Sequence, residues 1–342
     1  MPANLDRAAG WSWRLLVCAA AAVAVTALLW YLRVIVVPAM VALTIAPALT
    51  PVAGLLRRRR LERPAAAVAL LLGLGVVAGL IAIVTTSVLA QYDDLADSVS
   101  RAVEDITNRL EGEPFNLSFS RAEDVESSLG QSWGDVSSYL ASGVQAGAGL
   151  VAGLVLAVAL LYFILRDGAE FWQWVLRRLP TETRPIADRA GRRAWVVLAG
   201  FVRGTVLIAA IDAVLIGIGL WLLGVPLAFA LSVLVFLGAF VPFVGAFVSG
   251  LIAVLVAFAD EGWEVALAAL AIVIAVQFIE GNFLQPIIQS RTVDLHPAVI
   301  LLAVAAGASL FGIVGAYLAV PVTAVVFAVA ASLEADSRST IG

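Results

Sequence analysis

The sequence carries very little charge for its length, and that shortage settles its class. Only 13% of its 342 residues are charged, about half the ~25% usual in soluble domains, whereas 62% are hydrophobic and the mean hydropathy is +1.02. A water-soluble fold of this size has no way to bury so much apolar surface. Lysine is absent: all 21 basic residues are Arg, which we read as the codon composition of a GC-rich genome rather than as chemistry. Cys18, inside the first apolar run, is the one cysteine, so neither a disulfide framework nor a thiolate metal site is expected. His296 is the one histidine, which removes HExxH zinc chemistry and multi-histidine sites. No GxxxxGK[ST] loop is present to use ATP. Ser309 and His296 suggest a protease dyad only superficially, because GASLFG lacks the GxSG form and no GxGD motif occurs. We therefore expect no enzymatic activity, no metal, no cofactor and no nucleic-acid partner.

What is present is a series of apolar runs parted by blocks of segregated charge. A helix crossing a hydrocarbon core of about 30 Å needs roughly 20 apolar residues, and several runs pass that length. The expected fold is all-α: a polytopic membrane protein with about 6–8 crossing segments. Residues 1–63 read as two apolar segments, about 13–32 and 34–56, the second interrupted by Pro38, Pro47 and Pro51. The prolines predict a bend. Arg57, Arg58, Arg59, Arg60 and Arg63 follow, a cluster that belongs in the cytoplasm, and Arg7 and Arg14 place the N-terminus there too. Arg33 either snorkels to an interface or lies in the turn between the two segments.

Residues 64–165 read as two crossings bearing a polar insert at 91–140, with eleven acids against three Arg. Tyr92, Leu95, Val99, Val103, Ile106 and Leu110 form a helical stripe. The capping box from Ser120 to Glu123 opens a second stripe through Val125, Leu129, Trp133, Val136 and Leu140. The insert is therefore predicted to be an extracytoplasmic helical hairpin. Residues 166–203, with eight Arg against four acids, return to the cytoplasm as amphipathic helices. Phe171, Trp172, Val175, Leu176 and Leu179 share a face suited to lying on the membrane surface.

Residues 204–333 read as a transport core and 334–342 as a cytoplasmic tail. The run 226–258 is too long for one upright crossing, about 50 Å as a single helix, and GAFVPFVG breaks it at 238–245. The run 297–333 is likewise interrupted, by Gly307, Gly312 and Gly315. Two broken hairpins entering from opposite faces would meet near the midplane, the arrangement that points to a transporter site; one long tilted crossing at 226–258 is the competing reading. Pro242 and Gly245, like the three later glycines, either form these breaks or serve packing alone.

Charged side chains inside such runs cost about 2.5–3.5 kcal/mol each at a helix centre and need a reason. Asp212 and Glu280 are the two that stand out, with Gln277, Asn282 and Gln285 near Glu280 and Pro286 expected to end that helix. Together they suit a small cation such as Na⁺, or a proton in a drier setting. The structural alternatives are a buried ion pair of Asp212 with Arg203 or Arg33, and a hydrogen bond from Glu280 that holds a helix break. Arg291, Asp294 and His296 form a polar group before the last run, read as a gate or as a solvated turn.

LYFILRDG (161–168), LGAFVPFVGAFVSG (237–250), IEGNFLQPIIQ (279–289) and LHPAVILLAVAAGASLFGIVGAYLAVPVTAVV (295–326) together resemble the autoinducer-2 exporter family of PerM-like bacterial permeases. The resemblance implies a transporter in the bacterial inner membrane, exporting a signal molecule or moving a cation or other small solute. It also implies a homo-oligomer, a pentamer by analogy. Partners are then the lipid bilayer, the solute and Na⁺ or H⁺. A channel without coupling, or a membrane scaffold, is the alternative.

Overall fold

The computed structural model describes residues 26–58, 64–90, 151–240, 244–289 and 296–339, with a few helical positions between 13 and 24. The insert at 91–140, Cys18, Pro242, Arg291 and Asp294 lie outside the described residues. Every regular element among the described residues is helical. We label them α1 Arg33–Arg58, α2 Ala65–Ala90, α4 Arg184–Leu222, α5 Ala228–Gly238, α6 Val244–Glu261, α7 Trp263–Ile279, α8 Gln285–Gln289 and α9 Pro297–Ser339, with α3 at Val151–Arg177. Among the described residues six helices are long and apolar enough to cross a membrane: α1, α2, α3, α4, α7 with its continuation to Ile288, and α9. This is the fold of a polytopic membrane protein. Large apolar side chains such as Trp221 and Ile313 stand exposed at 71% and 73%, which in water would be untenable and in lipid is ordinary.

α1 runs unbroken across its three prolines. A proline at position i+4 leaves the carbonyl at i without its helical donor. Pro51 does this to Pro47, and Arg203 of α4 takes the vacant place, its Nε donating to the Pro47 carbonyl at 3.0 Å. Arg33, the first residue of α1, follows a single turn residue at Leu32 and lies over the Trp30 ring at 4.5 Å. At the end of α1, Arg57 donates to the carbonyls of Leu165 and Arg166 in α3.

Residues 166–177 prolong α3 without a break, where a separate surface helix was expected. The helix stops at Arg177, and Arg184 donates to the Arg177 and Leu179 carbonyls at 3.2 and 2.9 Å, satisfying groups that a helix end leaves open. The elbow between α3 and α4 is tight. The Trp172 indole donates to Asp188, which also accepts from Arg192, and a Cβ on Gly191 would sit 2.2 Å from the Trp172 ring.

Small residues govern the packing, as they do where no water drives helices together. Ala253, Ala257 and Ala269 are fully buried where α6 meets α7, with Ile216 and Leu220 of α4 completing that core. A second core joins α1, α2 and α3 through Ala42, Ala46, Ala66, Leu70, Leu161 and Leu165. Val197 of α4 meets Ala324 and Ala328 of α9 in a third.

Both long C-terminal runs double back. α5 and α6 form a hairpin whose arms touch through glycine backbone: a Cβ on Gly245 would lie 1.6 Å from the Gly238 carbonyl oxygen. In α9 the helix breaks at Phe311 (φ −133°) and Gly312 (φ 62°). Eight residues of straight helix would hold Gly307 and Gly315 about 12 Å apart, yet a Cβ on Gly307 would lie 2.3 Å from the Gly315 carbonyl oxygen. The single tilted crossing at 226–258 is therefore not what forms.

Candidate functional site

One face of α4 carries Phe201, Thr205, Ile208 and Asp212 at helical spacing, and all four line a cavity of about 860 Å³. α7 contributes Leu270, Val273, Ile274 and Gln277, the turn after it Glu280, the two hairpins Phe240, Phe247 and Tyr317, and α8 contributes Gln285. Asp212, Gln277, Glu280 and Gln285, singled out from sequence as charges and amides in apolar runs, are thus brought to one cavity.

The helix after α7 explains how. Glu280–Leu284 form a π-helical turn, whose wider i→i+5 register stacks residues that an α-helix would turn apart. Gln285 lies five residues after Glu280, and its Nε2 donates to Glu280 Oε1 at 3.1 Å. The same turn corrects one expectation: Pro286 does not end the helix. It is the second residue of α8 (Gln285–Gln289), which carries on directly from the π-turn, and its missing N–H leaves a carbonyl one turn back without its helical donor.

Asp212 is 3% exposed. Its Oδ1 is buried without a hydrogen-bond partner, and Glu280 is the charged group that acts on it. Neither predicted ion pair forms, because Arg203 donates to the Pro47 carbonyl and Arg33 stacks on Trp30. Two acids therefore adjoin one another, with no Arg and no His among the described residues that line the cavity.

The other predicted residues fall elsewhere. Asn282 is exposed and donates to the Phe278 carbonyl at 2.9 Å, so it does not line the cavity. His296 is exposed, and its Nδ1 accepts the Ala298 N–H at 3.2 Å, a cap on the first turn of α9. The hydroxyl of Ser309 donates to the Ala305 carbonyl in its own helix. Gly245, Gly307, Gly312 and Gly315 lie at the hairpin joints described above.

Tyr317 is the residue that sequence reading missed. Its ring meets Phe240 at a centroid distance of 6.3 Å and 62°, joining the two hairpins beside the cavity, and it interacts with Thr44 of α1. Only the tyrosine hydroxyl inside an apolar run could have signalled it, since a buried phenol needs a partner.

A family model described as the AI-2E family transporter matches residues 19–335. The chain belongs to the AI-2E transporter family. Membership bears out the resemblance read from the four motifs. Among relatives, a provisionally named transport protein of Mycobacterium tuberculosis is 36% identical over 95% of this chain and 92% of its own length. YueF of Bacillus subtilis, also provisionally named a transport protein, is 26% identical over 71% of this chain and 68% of its own. PerM of Escherichia coli, provisionally named a permease, is 31% identical over 52% of this chain and 50% of its own. As a family member the chain is a multi-pass membrane transporter.

Proposed function

We propose that this transporter moves a small solute across the bacterial cytoplasmic membrane by coupling it to an ion gradient at Asp212 and Glu280. The observation that carries the reading is the unpartnered Oδ1 of Asp212, buried beside a second carboxylate. A desolvated carboxylate oxygen is costly without a donor or cation, and two adjacent acids repel unless a cation or a proton is held between them. Such a pair exchanges its ion as the cavity opens to one side and then the other. The hairpins, joined through Phe240 and Tyr317, are the elements we assign to that motion. The Arg-rich ends of α1, α3 and α4 and the N-terminus face the cytoplasm, and subunits assemble as a homo-oligomer, a pentamer by analogy.

The test is solute accumulation in proteoliposomes under an imposed Na⁺ or proton gradient, with a panel of solutes. Asp212→Asn and Glu280→Gln are each expected to abolish gradient-driven accumulation. Correctly assembled variants that accumulate solute at the parental rate would overturn the reading. Ion conductance without accumulation in the parent would place the chain among channels instead.

A further inference from the structure

We infer that the solute admitted to this cavity is a bulky hydrophobic organic cation. The inference rests on the reading of Asp212 and Glu280 as an ion-binding pair and adds what the rest of the cavity selects. A volume of about 860 Å³ is far more than a bare metal ion fills, and it falls in the range of roughly 300–1,000 Å³ that holds drug-sized ligands. Its two carboxylates and two side-chain amides are those of Asp212, Gln277, Glu280 and Gln285, with the hydroxyls of Thr205 and Tyr317 as further polar groups. The rest is lined mainly by aliphatic side chains together with the rings of Phe201, Phe240, Phe247 and Tyr317, and aromatic rings attract cations.

Charge sets the sign of the preference. Among the described residues no Arg or His lines the cavity, so an anion would meet two carboxylates there and no positive charge from them. A neutral solute would leave the acids repelling one another, with Oδ1 of Asp212 still unmatched. A cation with an apolar body answers both ends: its charge lies against the acids and its body against the rings. A coupling ion and such a solute would then occupy the carboxylates in turn, which is how one pair of acids exchanges the two.

Tetraphenylphosphonium and tetraphenylborate have the same shape and opposite charge, which makes them the deciding probes. Binding of each is measured on the purified full-length protein in detergent, at equal ionic strength. Saturable binding of the phosphonium, at least about tenfold tighter than the borate, is expected, a difference of about 1.4 kcal/mol. Glu280→Gln and Asp212→Asn should each weaken phosphonium binding about tenfold or more. Equal binding of the two ions, or no saturable phosphonium binding, overturns the inference, and this comparison needs only the unmodified protein. Normally folded variants that bind the phosphonium as the parent does overturn it as well. Gradient-driven flux without phosphonium binding would sink the inference and leave the coupling pair standing. Phosphonium binding without gradient-driven flux would do the reverse.

Discussion

At the scale of single residues, the helices are held in register by cations that fill gaps in the backbone. Pro51 takes away the donor owed to the Pro47 carbonyl, and Arg203 replaces it from another helix. Arg203→Met is expected to lower stability by about 1 kcal/mol, below the usual 1.5–3 for a charged hydrogen bond because the guanidinium is exposed. In a Pro51→Ala background the alanine N–H serves the same carbonyl, so the loss on removing Arg203 should shrink. Thermal unfolding of the four proteins in detergent measures that coupling, and equal losses in both backgrounds would show that the arginine acts through something else. A second contrast separates Glu280 from its neighbour Asn282. Asn282 is committed to the Phe278 carbonyl, so Asn282→Ala should leave gradient-driven uptake near the parental rate while Glu280→Gln abolishes it. A loss in both variants would mean that the whole π-turn, and not the carboxylate, is what uptake requires. The acids and amides of the site were legible because charge stands out in an apolar run. Tyr317 and Phe201 were not, since an aromatic facing a cavity looks in sequence like one facing lipid.

At the scale of elements, length was the informative quantity. A run of 33 residues cannot cross upright, and the doubling back at 226–258 and at 297–333 follows from that arithmetic together with the central glycines. Why those glycines and no others became clear only in three dimensions. Gly245 meets the Gly238 carbonyl and Gly307 meets the Gly315 carbonyl, backbone against backbone, whereas Gly75, Gly79 and Gly281 have open space. Gly245→Ala and Gly307→Ala should therefore spread the hairpin arms and reduce the yield of folded protein, with Gly75→Ala as the tolerated control. Size-exclusion profiles decide it; monodisperse Gly245→Ala at parental yield would show that the arms need not touch. Gly312 is a different case, with space around it but a φ of 62° and ψ of −147°. That region is essentially reserved for glycine and costs other residues about 1–3 kcal/mol, so Gly312→Ala should lower the unfolding temperature without a clash. The π-turn at Glu280–Leu284 was not legible at all. Pro286 reads as a stop, and only the packing of α7 and α8 against α4 selects the wider turn that keeps the helix going.

At the scale of the whole molecule, the question is which end faces which side, and charge and geometry meet on it. α4 has 39 residues, about 58 Å of helix, so its two ends lie on opposite sides of a core of about 30 Å. Its first turn adjoins the end of α3, and Arg57 at the end of α1 reaches the Arg166 carbonyl in the same half of α3, so the basic ends of all three helices lie towards one side. Its far end leads to Gly224, where an added Cβ would lie 3.9 Å from Oε1 of Glu261; the turns on either side of the first hairpin thus share the opposite end, with Asp260, Glu261 and Glu264. Basic loops stay inside and acids weigh little in the rule, so the Arg-bearing end belongs in the cytoplasm and the Glu261 end outside. The prediction uses single cysteines in a Cys18→Ala background, at Glu182 and at Glu261, both exposed. An impermeant thiol reagent applied to intact cells should label Glu261→Cys and spare Glu182→Cys, and inverted vesicles should reverse the pattern. Labelling of Glu182→Cys with protection of Glu261→Cys would turn the molecule over. The carboxylate pair would keep its cavity in that case, but the side from which the cavity loads would change.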